Sequence, residues 1–228
     1  MKVHRFFSQL KRDRDAVSFA DPDVTHQILR VLKLRVGEVV TVLDGKGMEY
    51  DVELVQVDKK DVAGIVIAER KNETEPEREV VLYAAILKRE NFEWAVQKAV
   101  ECGVSKIVPM VTQRTIKKDV KQERLQEIAK EAAELSGRGR VPEVSEPVDF
   151  DEALNGAKGE KYFLDAGGST FDAMQAAPSV SLFIGPEGGW TDEERANAKR
   201  AGLTTISLGP RVLRGETASA LAVYLMTI

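Results

Sequence analysis

Cysteine and histidine are nearly missing from this chain of 228 residues, which contains one cysteine, Cys102, and two histidines, His4 and His26. A single cysteine cannot form an internal disulfide, which suits a protein of a reducing compartment such as the cytosol. One thiol and two imidazoles also argue against a zinc site, because zinc takes several such ligands at once. We therefore expect a cytoplasmic protein that holds no metal.

Long apolar stretches are missing as well. No run of the sequence approaches the roughly 20 apolar residues that a membrane-spanning helix needs, so we expect no membrane partner. The N-terminal segment MKVHRFFSQLKRDRD lacks the apolar centre of a secretory signal. What the chain does have is 43% hydrophobic and 31% charged residues, a composition typical of a globular protein with a packed core.

Positive charge is in the minority, with a formal net charge of −4, but it is unevenly distributed. Residues 1–35 contain eight Lys or Arg and four Asp, and residues 88–140 contain twelve Lys or Arg and eight Asp or Glu. Two basic regions can bind phosphate on one face of an acidic protein, because salt screens the charges that lie farther away. Ordinary solvated surface charge explains the same counts equally well.

The first 70 residues read mostly as strands. Runs rich in β-branched residues between positions 38 and 69 are broken at 44–47 and 58–61, where the residue types are typical of hairpin turns. Residues 24–37 carry a short helical stripe of apolar side chains. We expect a small β-barrel with one helix over residues 1–70, followed by a polar linker over residues 71–79.

From residue 80 onward, strand patterns alternate with helix patterns. The predicted strands lie at 80–87, 105–111, 161–167, 179–185 and 204–209, and the predicted helices at 91–103, 119–137, 191–202 and 216–228. Thr191 and Glu194 have the spacing of a capping box at the start of a helix. Such alternation predicts an α/β domain over residues 80–228, with a parallel sheet and helices on its faces.

Three glycine-bearing loops follow predicted strands, at 164–169, 184–190 and 208–218. Ligands of open α/β sheets bind at the carboxyl ends of the strands, and glycine lets a backbone approach a ligand closely. None of the loops has the form GxxxxGK[ST] or GxGxxG, which argues against nucleotide hydrolysis and NAD chemistry. A tight turn would explain one such loop, but three in one half of the chain indicate a ligand site.

Two of these loops carry a resemblance to a known family. IGPEGGWTDEE, at 184–194, and LGPRVLRGETA, at 208–218, resemble the two C-terminal signature motifs of the RsmE family. Members of that family are bacterial methyltransferases that act on N3 of a uridine in small-subunit ribosomal RNA. Other family-like segments lie upstream, so the resemblance covers nearly the whole chain; they are HRFF, HQILRVLKLRVGE, KRENFEWAVQKAVECGVSKIVPMVTQRT and EAAELSGRGRVPEV. Two positions depart from the pattern, Leu135 in place of the usual Gln and Gly215 in place of the usual Thr.

The resemblance implies an α/β fold of the SPOUT type, whose parallel sheet includes a C-terminal deep trefoil knot, after a small PUA-like β-barrel domain. It implies a homodimer that uses S-adenosyl-L-methionine and whose partner is the 16S rRNA of the small ribosomal subunit. The family's motifs place the cofactor against a set of loop residues, with Val212 and Leu213 able to cover the faces of an adenine. That set is Leu164, Ile184, Gly185, Pro186, Glu187, Gly188, Gly189, Leu208, Gly209, Arg211, Val212, Leu213, Thr217 and Ala218.

Methylation of uridine at N3 requires the loss of a proton, because that nitrogen is a weakly acidic imide. A cation near the pyrimidine carbonyls would stabilise the anion, or a carboxylate would take the proton. The candidate cations are Arg138, Arg211 and Arg214, and the candidate base is Glu216. A carboxylate at Glu216 is equally explained by the favourable field of a helix N-terminus, and Arg214 by an ion pair with Glu216.

RNA phosphates are expected to meet basic side chains of both domains, which predicts binding that weakens steeply as salt rises. The candidates are Arg5, Arg12, Arg30, Lys33 and Arg35 in the barrel, and Arg114, Lys117, Arg138 and Arg140 in the second domain. Trp190 is a candidate for flanking the cofactor or substrate, and Trp94 is expected in the core or the dimer interface. Two alternatives stay open, a SPOUT enzyme that methylates ribose 2′-hydroxyls and a non-catalytic RNA-binding protein of ribosome assembly.

Overall fold

The computed structural model describes residues 4–58, 61–116, 119–170 and 177–228. The chain divides into two compact units, of which the first comprises Met1–Glu75 and Ala133–Val141 and the second comprises Pro76–Ala132 and Pro142–Ile228. Residues 133–141, which we expected in the second domain, therefore group with the first unit. Within the described ranges, no helix has the length and apolar character needed to cross a membrane.

The first unit contains a six-stranded mixed sheet in the order β1-β4-β5-β6-β3-β2, in which β1 and β4 are parallel and the other pairs are antiparallel. The predicted turn at 44–47 is confirmed, since Asp44 Oδ1 accepts hydrogen bonds from the amides of Lys46 and Met48 at 2.7 and 2.9 Å. In the second predicted turn, residues 59 and 60 lie outside the described ranges. The strands are β1 Arg5–Phe7, β2 Leu10–Asp13, β3 Ala16–Phe19, β4 Val39–Leu43, β5 Met48–Val57 and β6 Val62–Lys71.

The segment of the first unit that carries the predicted helical stripe forms an α-helix that continues as a π-helix. α1, Pro22–His26, begins at the capping residue Asp21 and runs into a π-helical segment, Gln27–Val31. Ile28 is fully buried against the sheet, but Val31 is exposed. The physical reason is the extra residue per turn of a π-helix, which rotates the following side chain away from the core.

The second unit is built on a parallel sheet of seven strands in the order β10-β8-β7-β12-β11-β13, with β9 paired to β8. Its parallel strands confirm the predicted α/β architecture, whereas the trefoil knot stays a prediction. The strands are β7 Glu79–Ala85, β8 Lys106–Val111, β9 Glu143–Val144, β10 Val148–Asp149, β11 Glu160–Thr170, β12 Ser179–Ile184 and β13 Thr204–Ser207. The helices are α2 Arg89–Glu101, α3 Gln122–Ser136 (whose last four residues belong to the first unit), α4 Phe150–Gly156, α5 Asp192–Arg200 and α6 Gly215–Thr227.

The central strands β7 and β12 carry continuous apolar runs because helices cover both faces of a parallel sheet. Tyr83 and Phe183 on these strands stack with ring centroids 4.7 Å apart. α4 and the two-residue strands β9 and β10 are too short to show a period, so the sequence did not predict them. The start of α4 did carry a signal, a capping box of Asp149 and Glu152.

The predicted loop at 164–169 is wrong, because these residues belong to β11. Leu164 and Ser169 both lie opposite Ile206 of β13, so the four residues between them bulge out of the ladder. Gly168 makes this possible, since a Cβ there would stand 2.4 Å from the carbonyl carbon of Ile206. The bulge turns residues 165–168 toward the carboxyl edge of the sheet.

Candidate active site

A cleft of about 550 Å³ opens in the second unit at the carboxyl ends of β7, β11, β12 and β13. Its volume lies in the range of small-molecule sites, and its position is the usual one for ligands of open parallel sheets. The residues that line it are Lys88, Asn91, Leu164, Asp165, Ala166, Ile184, Gly185, Pro186, Glu187, Gly189, Trp190, Ile206, Ser207, Leu208, Arg211, Val212, Leu213, Arg214, Gly215, Glu216 and Ala218.

The loop after β12 forms one wall, and two glycines allow its shape. Gly189 has φ +66° and donates its amide to the carbonyl of Pro186 at 2.9 Å, which closes a tight turn. Gly185 lies against the indole of Trp190, where a Cβ would stand 2.8 Å from the ring. Arg114 Nη1 donates to the carbonyls of Gly188 and Trp190 at 2.8 and 3.2 Å, so the loop is held on its outer side as well.

Trp190 supports this wall from the core. It is 2% exposed, and its ring lies 4.3 Å from that of Phe163 and 5.4 Å from that of Phe150. Its indole Nε1 donates to the carbonyl of Leu164 at 2.9 Å, which ties the loop after β12 to β11. Trp190 is therefore chiefly a packing residue that positions two cleft residues, Gly185 and Leu164.

The Glu187 carboxylate also has a hydrogen-bond partner within the protein. Its Oε1 accepts the backbone amide of Lys88 at 3.0 Å, which joins the loop after β12 to the segment that follows β7. This segment brings Lys88 and Asn91 into the cleft, and the residue patterns of the sequence did not single out either of them. Only their position in the sequence could have indicated them, because they follow the carboxyl end of a central strand.

Asp165, on the bulge of β11, is paired as well. Its Oδ2 lies 2.6 Å from Nε of Arg195 on α5. This hydrogen bond is the main reason that the pKa of Arg195 is raised above its ordinary value. The pair anchors the bulge to α5 and uses one oxygen of the Asp165 carboxylate, Oδ2.

The loop after β13 forms the opposite wall. Gly209 has φ +115°, and its carbonyl accepts the Ser207 hydroxyl at 2.9 Å. Beyond this turn, Val212 is 88% exposed and Leu213 is half-buried. This wall of the cleft thus presents apolar side chains.

α6 begins in the lining of the cleft, and among the described residues its N-cap residue, Arg214, makes no side-chain cap hydrogen bond. Glu216 follows in the first turn and is only 8% exposed. Its Oε2 is buried without a hydrogen-bond partner among the described residues, and its Oε1 lies 3.9 Å from Nη1 of Arg214, whose side chain is 81% exposed. Gly215 stands where a Cβ would lie 2.9 Å from the side chain of Leu87, so this wall has little room for a larger residue.

Comparison with known proteins identifies the family to which this chain belongs. A family model described as RNA methyltransferase domain matches residues 74–227, and one described as RNA methyltransferase PUA domain matches residues 20–67. The ribosomal RNA small subunit methyltransferase E of Mesomycoplasma hyopneumoniae is 34% identical over 170 residues, which are 71% of this chain and 74% of that protein. The chain belongs to the RsmE family of RNA methyltransferases.

Further relatives of this family agree in sequence and in structure. The Bacillus subtilis ribosomal RNA small subunit methyltransferase E is 28% identical over 95% of this chain and 93% of its own. The Neisseria gonorrhoeae member, solved with bound S-adenosyl methionine, has a TM-score of 0.89 at 30% identity and covers 99% of this chain and 97% of its own. A Legionella pneumophila protein solved with the same cofactor has a TM-score of 0.90 at 30% identity, over 99% of this chain and 97% of its own.

In this RsmE-family chain, the cleft gathers most of the residues that the motifs predicted for the cofactor. Those that line it are Leu164, Ile184, Gly185, Pro186, Glu187, Leu208, Gly189, Arg211, Val212, Leu213 and Ala218. Gly188, Gly209 and Thr217 are outside the lining; the first two shape the two loops, and Thr217 lies in the first turn of α6. Three of the four catalytic candidates, Arg211, Arg214 and Glu216, also line the cleft.

The fourth candidate, Arg138, is not among the residues that line the cleft, and its catalytic role stays a prediction. It belongs to the first unit, is 4% exposed, and binds Glu75 through Nε at 3.2 Å and Nη2 at 2.7 Å. The same carboxylate accepts the amides of Gly139 and Arg140 at 2.9 and 3.3 Å. A buried guanidinium in such a bidentate pair is well suited to holding the loop 138–140 in shape.

The predicted RNA-binding residues differ in how available they are. Arg30, Lys33, Arg35 and Arg140 are exposed. Arg12 is paired with Glu69 at 3.0 Å, Arg114 is held by the glycine loop, and Lys117 lies outside the described residues. Arg5 is half-buried, and its Nε has no hydrogen-bond partner within the described ranges.

Proposed function

We propose that this chain transfers a methyl group from S-adenosyl-L-methionine to N3 of a uridine in the 16S rRNA of the small ribosomal subunit. The observation that carries the proposal is the cleft formed by the two motif loops, in a chain that matches a cofactor-bound small-subunit rRNA methyltransferase over 99% of its length. The names of the relatives give the substrate class as ribosomal RNA of the small subunit. The choice of uridine N3 rests on the resemblance of the motifs.

The chemistry of the cleft fits this cofactor. The close packing of Gly185 on Trp190 leaves a smooth wall of backbone, and Val212 and Leu213 offer apolar contact for the faces of an adenine.

S-adenosyl-L-methionine supplies an electrophilic methyl group when it is bound. The part of the protein is to hold the acceptor in line with that group and to keep water away, which is mainly an effect of orientation. The two walls are suited to this because each is fixed by hydrogen bonds within the protein, through Glu187, Trp190 and Ser207. Rigid walls reduce the motion that would misalign the reacting atoms.

The proposal is tested by incubating the full chain with labelled S-adenosyl-L-methionine and small subunits that lack the modification, followed by nucleoside analysis. We expect label in 3-methyluridine, and none when large subunits or fully modified small subunits are offered. Label in a 2′-O-methylated nucleoside would assign the chain to the ribose-methylating alternative. Absence of both label and cofactor binding would favour the non-catalytic assembly protein.

We also propose that the active form is a homodimer. α2 and α6 pack against each other and leave exposed apolar side chains on α6 at a spacing of one helical face, beside exposed Trp94 on α2. Such an unbroken apolar surface is typical of a protein–protein interface. Its members are Leu221, Tyr224 and Leu225 on α6 and Ile228, which directly follows that helix.

Replacing Leu221 with aspartate is expected to convert the dimer to monomer, because a buried charge in an interface centre costs about 2 kcal/mol or more. Sedimentation at micromolar concentration measures the change in mass. Ile116→Asp is the matched control, since Ile116 is another exposed apolar residue of the second unit that lies outside this surface. A monomeric parent protein, or a Leu221→Asp variant that stays dimeric, would contradict the proposal.

A further inference from the structure

Three carboxylates line the cleft in the described part of the chain, and two of them have partners within the protein. Glu187 accepts the amide of Lys88 at 3.0 Å, and Asp165 is paired with Arg195 at 2.6 Å. Glu216 differs because its Oε2 is buried and has no hydrogen-bond partner in the described part of the chain. Of the three, Glu216 therefore has an oxygen left for a ligand that donates a hydrogen.

The position of Glu216 in the first turn of α6 does not explain this by itself. The field of a helix N-terminus favours a negative side chain there, but an exposed carboxylate would gain that benefit without being desolvated. A buried oxygen without a partner costs free energy, and native proteins retain such groups mainly where a ligand or a reaction uses them. The orphan oxygen and its place in the cleft lining are independent observations that indicate the same site.

Arg214, which lies beside Glu216, restricts the kinds of ligand group that can bind there. Nη1 of Arg214 lies 3.9 Å from Oε1 of Glu216, and the Arg214 side chain is 81% exposed and able to turn into the cleft. An acceptor beside a donor matches the edge of an imide, which presents one N–H between two carbonyl oxygens. Uracil has this edge, whereas cytosine has no proton on N3 and would leave Glu216 facing a lone pair.

We propose that Glu216 takes the N3 proton of the target uridine while Arg214 donates to the carbonyl oxygen beside it, an inference that rests on the proposed function. The N3–H bond breaks and its proton passes to Oε2 of Glu216. The electron pair on N3 then forms the bond to the methyl carbon, and the pair of the broken carbon–sulfur bond stays on sulfur as a neutral thioether. Glu216 releases its proton to water when the product leaves.

The charged groups that face this pair from the rest of the cleft are Lys88, Asp165, Glu187 and Arg211. The two acids among them have partners within the protein, as described above. Any pH dependence that differs between the parent and a Glu216 variant therefore reports on Glu216 when these groups are left unchanged.

Glu216→Gln keeps the shape of the side chain and removes its basicity. We expect turnover on unmodified small subunits to fall by about 100-fold or more, the usual contribution of general base catalysis, with cofactor affinity by calorimetry within about threefold of the parent. We also expect the rate of the variant to rise about tenfold per pH unit over a range where the parent rate is flat, because solution ionisation of the imide replaces the missing base. Glu187→Gln is the matched carboxylate control and is expected to weaken cofactor binding and turnover together, without the new pH slope.

Arg214→Ala tests the second half of the pair and is expected to lower turnover far more than cofactor affinity. Turnover of Glu216→Gln close to that of the parent, a parallel loss of cofactor binding, or a pH profile with the parent's shape would each overturn the role of Glu216. Equal losses of turnover and cofactor affinity in Arg214→Ala would make Arg214 a binding residue. If the parent chain itself formed no 3-methyluridine, the proposed function would fail, and that result is distinct from a failure confined to the variants.

Discussion

Replacing Trp190 with alanine is expected to lower the free energy of unfolding by about 3–5 kcal/mol and to abolish measurable cofactor binding. Trp190 is among the largest fully buried side chains, and three aromatic rings, those of Phe150, Phe163 and Trp190, meet at this point of the core. The truncation removes that packing and leaves a cavity beneath the loop after β12. It also leaves the Leu164 carbonyl without its indole donor.

The loss of cofactor binding follows from the same contacts. Gly185 lies against the indole, so without it the cleft wall loses its support from the core. Chemical denaturation followed by circular dichroism measures the stability, and calorimetry with S-adenosyl-L-methionine measures the affinity. Trp190→Phe is the control, because it keeps much of the apolar packing and removes only the hydrogen bond, with an expected cost of about 1–3 kcal/mol. A Trp190→Ala protein that is as stable as the parent and still binds the cofactor would contradict this account.

Glu75→Ala is expected to be as damaging to the first unit, with a loss of about 3–5 kcal/mol, because it removes a carboxylate that pairs with a buried guanidinium and with two backbone amides. The side chain of Arg138 is 5% exposed, and the Glu75 carboxylate also binds two amides of the loop 138–140. Chemical denaturation gives the stability, and hydrogen exchange at the amides of Gly139 and Arg140 shows whether the loop opens.

The double variant Glu75→Ala, Arg138→Met separates charge from packing. It is expected to recover part of the lost stability, since an apolar side chain replaces the buried cation, while the two loop amides still lack the Glu75 carboxylate. The stability of an Arg138→Lys variant is expected to lie between that of the parent and that of Glu75→Ala, because an ammonium cannot reproduce the bidentate pair. An Arg138→Met single variant with parental stability but greatly reduced methyl transfer would restore Arg138 as a catalytic candidate and would refute the structural role.

Several features could be predicted because they depend on residues close together in the chain. The alternation of apolar runs and helical stripes from residue 80 predicted a parallel α/β sheet, which the structure confirms. The capping box of Thr191 and Glu194 is confirmed as the start of α5, with Glu194 amide to Thr191 Oγ1 at 3.2 Å. The resemblance of the two motif loops to the RsmE family is confirmed by relatives across the chain.

Other features depend on partners that are distant in the sequence. From the sequence, Trp190 could be either a ligand contact or a core residue. Its packing in the core became evident only from its contacts with Phe163 and Leu164 in the folded chain. The bulge in β11 exists only in relation to its register with β13, so its glycines read as a loop. The exposure of Val31 depends on a π-helical turn that leaves no clear trace in an apolar pattern.

The sequence by itself determined the alternating α/β architecture, the strand-end positions of the two motif loops and the family to which they belong, because strand and helix periods and motif spacing are local properties of the chain. Only the tertiary structure decided how the charged residues are used. It paired Arg138 with Glu75, Glu187 with the amide of Lys88 and Asp165 with Arg195, and it left a buried oxygen of Glu216 without a hydrogen-bond partner among the residues that the structure describes. The physical reason is that the use of a charge depends on its burial and on the partner opposite it, and in the folded chain those partners lie 30 to 99 positions away.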